Sequence, residues 1–81
     1  MMYDDSPILP IMPTERIIRK AGAERVTDGA GIELAKALEE YGLEISHEAI
    51  MIARHAKRVT VKEEDIRLAY LRLKRTIEKS R

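Results

Sequence analysis

The 81-residue chain predicts an all-α fold of three helices, one short, one long and one short. Two patterns carry that expectation. Apolar or small residues recur at Ile32, Ala35, Leu38, Gly42, Ile45, Ala49, Ile52 and Ala56, in steps that alternate three and four. That period, near 3.5, places them along one face of a single helix. All three prolines fall at positions 7, 10 and 13, so nothing of that kind interrupts the chain afterwards.

Residues 1–13, which carry those prolines, are expected to form an extended arm without a helix of its own. A helical domain over 14–81 follows, with helices at about 14–21, 28–56 and 61–78. The first is read from "TERIIRKAG". Thr14 is its expected N-cap, Glu15 places an acid in the first turn, where the helix dipole favours one, and Gly22 stops it. "AERVT" connects it to the long helix, which starts at Thr27 or Asp28. A second stripe of Leu34, Ala37, Tyr41, Glu48 and Met51 widens the long helix's apolar face. The last helix opens at "TVKE", with Thr60 as expected N-cap and Glu63 completing a capping box. Ile66, Ala69, Leu73 and Ile77, with Tyr70, make its apolar face.

Length alone then calls for a partner. A helix of about 29 residues is about 43 Å long. A compact chain of this size is only about 30 Å across, from a radius of gyration near 12 Å. A lone chain would leave much of the seam wet. The sequence has no cysteine, which excludes a disulfide framework, and its two histidines, His47 and His55, lack a metal-ligand pattern. Of the usual remedies for a small core, oligomerisation remains. No metal and no cofactor is expected.

No apolar run approaches the roughly 18 residues of a membrane span, and "MMYDDSPILP" lacks the basic start and apolar core of a signal peptide. A soluble, intracellular protein is expected, with no membrane partner and no small-molecule substrate. The carboxylate pairs Glu39–Glu40 and Glu63–Glu64–Asp65 have no accompanying nucleophile and base, so an enzyme is not expected. Net charge is only +1, from 15 basic and 14 acidic residues, so any nucleic-acid role must rest on where the charges sit. Nine of the 15 cations are arginine, the better fork for phosphate oxygens.

One stretch concentrates those charges. "RHAKRVTVKEED", Arg54 to Asp65, sets cations before a turn and acids after it. Matching of charges to the ends of two helices accounts for this pattern as well as a nucleic-acid contact loop does. Both readings stay open at the level of the residues.

The segments "LPIMPTERIIRKAGAERVTDGAGIELAKALEE" and "EAIMIARHAKRVTVKEEDIRLA" resemble the histone-fold family, most closely the archaeal histones. With their linking residues they span Leu9 to about Lys74. The resemblance implies a head-to-tail handshake dimer in which each first loop lies beside the partner's second loop. It implies a homodimer, with a tetramer or higher assembly as its extension, and double-stranded DNA as the partner. DNA would be wrapped or bent by contacts to phosphates and the minor groove, without base specificity, compacting the chromosome in a cytoplasmic nucleoid.

By the same resemblance, Arg25 corresponds to the minor-groove arginine of the first loop and Thr60 to the threonine paired with it from the other chain. Thr60 can cap a helix and meet a phosphate at once. Arg16 and Arg19 correspond to DNA-facing positions of the first helix, a solvated basic face being the plain alternative. Lys62, which follows the second loop, is implied to reach a phosphate. Arg58 is implied to bridge to Asp65 and fix the loop, with direct phosphate binding as the alternative. Ile52, His55 and Asp65 correspond to positions where dimers meet, and His47 to none. Gly22 corresponds to a glycine where successive dimers stack, a role compatible with ending the helix.

Three departures qualify these expectations. The second loop usually reads Gly, Arg, Lys, Thr in the family, whereas here it is Lys57, Arg58, Val59, Thr60. Losing the lysine at Val59 removes two phosphate contacts per dimer and flattens the salt dependence. Gly29 and Gly31 replace an acid and an arginine in the first turn of the long helix, leaving backbone N–H groups open to a phosphate. The chain is also longer than the minimal family pattern at both ends. Asp4 and Asp5 would repel DNA, whereas Arg75, Lys79 and Arg81 offer it contacts. Near-neutral charge and Val59 keep an alternative in view, a histone-fold interaction subunit with weak DNA binding. A tetramer that bridges duplexes instead of wrapping one is the other.

Overall fold

The computed structural model describes residues 8–79. Three helices appear in order: α1 (Ile11–Lys20), α2 (Asp28–His55) and α3 (Glu63–Lys79). The described residues contain no strand, so the chain is all-α. The 28 residues of α2 give a helix about 42 Å long. Most of the expected arm, with Asp4 and Asp5, lies outside the described residues, as does Arg81.

The first helix begins at Ile11, three residues before the expected start. Pro10 takes the N-cap position with extended backbone, φ −64° and ψ 152°, and no side chain caps the helix. Pro13 sits in the first turn, where a backbone N–H has no helical partner to lose. The proline pattern therefore bounds the helix without excluding itself from it. Thr14 is not an N-cap. It is buried inside α1, with its hydroxyl 2.6 Å from the Ile11 carbonyl oxygen and 2.9 Å from that of Gly31. Glu15 correspondingly falls beyond the first turn, which holds no acid.

Each helix end has a local cause. At the end of α1, Gly22 adopts φ 122°, with its N–H donated to the Arg19 carbonyl and that of Ala23 to Ile18. This is a Schellman closure, which needs a left-handed residue at Gly22. Thr27 starts α2, its Oγ1 accepting the Ala30 N–H at 3.1 Å. At the end of α2 the same closure recurs: Lys57 N–H donates to Arg54 and Arg58 N–H to Ala53. Here the left-handed residue is Lys57, φ 60°, a conformation that costs a side-chain-bearing residue about 1–2 kcal/mol.

Thr60 does not cap α3, which starts at Glu63. Lys62 occupies the flanking position, and the Asp65 carboxylate reaches back to accept its N–H at 2.8 Å. The acid three residues in thus performs the reciprocal half of a capping box. Glu63, Glu64 and Asp65 all lie in this first turn.

The chain forms two compact units, divided between Tyr41 and Gly42. In the first, α1 packs on the opening half of α2, and the Ile8 N–H donates to Glu39 at 2.7 Å. Gly31 permits that approach. A Cβ there would stand 2.8 Å from Glu15 Cγ and 2.9 Å from Ile11 Cγ2. Gly31 is buried, so its lack of a side chain serves helix packing and not an open phosphate site. In the second unit, α3 packs on the closing half of α2, where Arg72 and Glu48 pair at 2.8 Å.

Among the described residues the buried hydrophobic ones are Ala35, Ala49, Ala53 and Ala69, and the largest fully buried side chain is that of Asp65. Burying four methyl groups contributes only about 3 kcal/mol at roughly 0.8 kcal/mol each. Meanwhile Leu38, Ile66, Leu68, Leu71 and Ile77 are among the large apolar side chains left exposed. The apolar seam is laid out for a surface that one chain does not supply.

Candidate nucleic-acid interface

The first unit presents three arginines implied to face DNA. Arg16 and Arg19 are exposed on α1, and Arg25 is exposed in the loop that the Gly22 closure directs away from the helix. Arg19 is not unattended. Its Nη2 lies 3.7 Å from Oε1 of Glu15, a charge contact too long for a good hydrogen bond.

Glu15 was invisible to sequence reasoning as a site residue. It is 4% exposed, and its Oε2 has no hydrogen-bond partner. The neighbouring Asp28 carboxyl, first as an acceptor for the protonated form of Glu15, pushes the Glu15 pKa up; burial adds to the effect, as does the Asp28 charge, and Arg19 opposes them. Its environment depends on the absent side chain at Gly31, which no local pattern announces.

The second unit holds the other loop, built around one ion pair. Arg58 Nη1 and Nη2 donate to Oδ2 and Oδ1 of Asp65, both at 2.9 Å, in a bidentate fork. Arg58 Nη1 also donates to the Thr60 carbonyl oxygen at 3.1 Å. Asp65 is 1% exposed, and with the Lys62 N–H both of its oxygens are engaged. The Arg58 guanidinium, and then the Lys62 amide, hold the Asp65 carboxyl down to about 2, against a burial effect that opposes them. Arg58 is correspondingly raised above its ordinary value by Asp65.

The consequence for the loop is mechanical. Residues 59–62, between Arg58 and α3, are tied at both sides, so Thr60 and Lys62 are held exposed on a fixed backbone. Arg58, with its fork committed to Asp65, is placed to shape the loop. Val59 is 99% exposed, so its apolar side chain buries nothing within the chain. Lys57 is exposed too, but its left-handed backbone gives it a different course from the loop that follows.

Of the residues implied to join dimers, Ile52 and His55 line one groove of about 510 Å³ with Glu48, Met51, Ala56, Leu68 and Arg72. Asp65 does not line it, and its carboxylate is already occupied by Arg58 and Lys62. Among the described residues no atom lies within 4 Å of where a Gly22 Cβ would be, so none of them is the close neighbour its resemblance implies. Among the described residues no helix is long and apolar enough to cross a membrane.

Comparison with known proteins agrees with this layout. The family described as histone-like transcription factors (CBF/NF-Y) and archaeal histones matches residues 7–70. One of the subunits of the archaeal histone HAN1 from Thermococcus zilligii is 59% identical over 61 residues, covering 75% of this chain and 91% of that protein. Probable archaeal histone 3 of Methanocaldococcus jannaschii is 52% identical over 61 residues, with the same coverage of both chains. Three helices of these lengths, a paired second loop and similarity across most of both relatives lead to one conclusion: the chain belongs to the histone-fold family of histone-like transcription factors and archaeal histones.

Proposed function

We propose that the chain is a non-enzymatic architectural DNA-binding protein: a handshake homodimer that bends or wraps duplex DNA without reading its bases. The observation that carries this reading is the second loop. The Arg58–Asp65 fork and the Lys62–Asp65 hydrogen bond keep Thr60 and Lys62 exposed at the start of a helix rich in backbone N–H donors. Arg25, exposed in the first loop, supplies the minor-groove side chain, and Arg16 and Arg19 extend the phosphate contacts along α1. The dimer covers the apolar faces that a single chain leaves open. Ile52 and His55 form the meeting surface of dimers in a tetramer or longer assembly, and Gly22 a point of close stacking between dimers. No cofactor is needed for any of this, and the protein acts on the chromosome, in the nucleoid.

A second reading has its own support. Val59, 99% exposed where the family carries a lysine, weakens the phosphate face and favours an interaction subunit whose handshake assembles a protein complex. The deciding experiment compares Arg25→Ala with the unaltered protein on several duplexes of unrelated sequence. Architectural binding predicts a similar loss on every duplex; a loss confined to some sequences contradicts shape-based minor-groove recognition. Unchanged binding on all of them removes Arg25 from the interface.

A further inference from the structure

We propose that Glu15 is a proton-operated hold on Arg19: charged, it keeps the guanidinium on α1, and on taking up a proton it frees the guanidinium for a DNA phosphate. The inference rests on the DNA-binding reading above and adds to it a way of setting the strength of binding.

The geometry of the first unit makes Glu15 unusual. A carboxylate 4% exposed normally has both oxygens satisfied, yet Oε2 has no partner and Oε1 has only Arg19, at 3.7 Å. The charged groups that face it are Asp28, from the first turn of α2, and Arg19, from α1 itself. Two carboxylates and one guanidinium leave a net charge of −1 around a Glu15 side chain that is itself closed to water, while Asp28 and Arg19 are exposed. A proton resolves both defects, because Glu15 then donates an O–H to Asp28 and sheds the charge that burial disfavours. The raised pKa of Glu15, caused first by Asp28, agrees with this arrangement.

Arg19 is the group that feels the change. Its only ion pair among the described residues is with Glu15, and its side chain is half exposed. With Glu15 charged, a phosphate must compete with that carboxylate. With Glu15 neutral it does not. One contact per chain is two per dimer, so the slope of log affinity against log salt should steepen by about 1.8.

The test is Glu15→Gln, which keeps the shape of the protonated acid and cannot ionise. Duplex affinity and its salt slope are measured from pH 4.5, the ordinary glutamate value, to pH 8 for this variant and the unaltered protein. At pH 8 the variant should bind several-fold more tightly with the steeper slope, and the difference should shrink as the pH falls through the raised value of Glu15. Every other group is common to both proteins, so the pH-dependent part of the ratio belongs to Glu15. A ratio of one at pH 8, or a ratio that does not change with pH, overturns the hold. In the free protein, the Glu15 carboxyl carbon and the Arg19 side-chain resonances should titrate together, above the ordinary glutamate range. Independent or ordinary titration overturns the hold even where DNA binds well. Joint titration with no DNA binding by either protein overturns the DNA-binding reading instead, and with it the release to phosphate.

Discussion

Arg58 and Asp65 stand seven residues apart in sequence and face each other through two parallel hydrogen bonds of 2.9 Å. The same carboxylate closes the first turn of α3 on the Lys62 N–H, so one acid joins the loop to the helix. The opposed charges before and after the turn therefore have a structural use that helix-end matching alone does not describe.

This pair gives stability a definite acid limb. Asp65 is held down to about 2 from an ordinary 3.8, so its contribution is present above 3.8 and is lost as pH falls through about 2. Glu15 has the opposite sign: its pKa is raised above 4.5, so its contribution is full below 4.5 and is lost as pH rises through the raised value. Thermal unfolding of Asp65→Asn from pH 2 to 7 should show a lower melting temperature at neutral pH and a flatter fall in acid. An unchanged melting temperature at pH 7 would show that the pair does not stabilise the fold.

Lys57→Gly should stabilise the protein by about 0.5–1 kcal/mol, the relief of a left-handed lysine less the flexibility that glycine adds to the unfolded chain. The φ of 60° at Lys57 motivates this expectation. Urea unfolding measures it at fixed protein concentration, and a destabilised variant would mean that the lysine side chain contributes more than its backbone loses.

Gly31→Ala should destabilise by about 1–3 kcal/mol although alanine is the better helix former, because the new methyl meets Glu15 Cγ and Ile11 Cγ2 inside 3 Å. The same change in a Glu15→Ala background should cost less, since one of the two neighbours has been removed. Equal costs in both backgrounds would place the conflict elsewhere.

Val59→Lys should tighten duplex binding and steepen the salt slope by about 1.8 per dimer. Because Val59 is 99% exposed, stability should change by less than about 0.5 kcal/mol. Unchanged affinity would show that this position does not face a phosphate.

Much of the fold was legible from periodicity. The seam from Ile32 to Ile52 runs along the helix that forms, Ala56 falls in the turn after it, and Ala35 and Ala49 from the seam are buried. Boundaries were less so, for a physical reason. Pro13 is compatible with a first helical turn, and Thr60 and Lys62 compete for the start of α3 on terms set by Asp65. The resemblance implied the Arg58–Asp65 pair, which spacing across a turn does not specify. Glu15 illustrates what a local pattern cannot hold. Its burial depends on a glycine 16 residues away and its charge on Asp28, both brought to it by the packing of α1 on α2.

The central claim is tested most directly by duplex binding across salt, with the mass of the free protein measured alongside. A homodimer that binds unrelated duplexes with similar affinity, losing it along a steep linear salt dependence, is the predicted result. A monomer, or a dimer with negligible affinity for duplex DNA even at low salt, would contradict it.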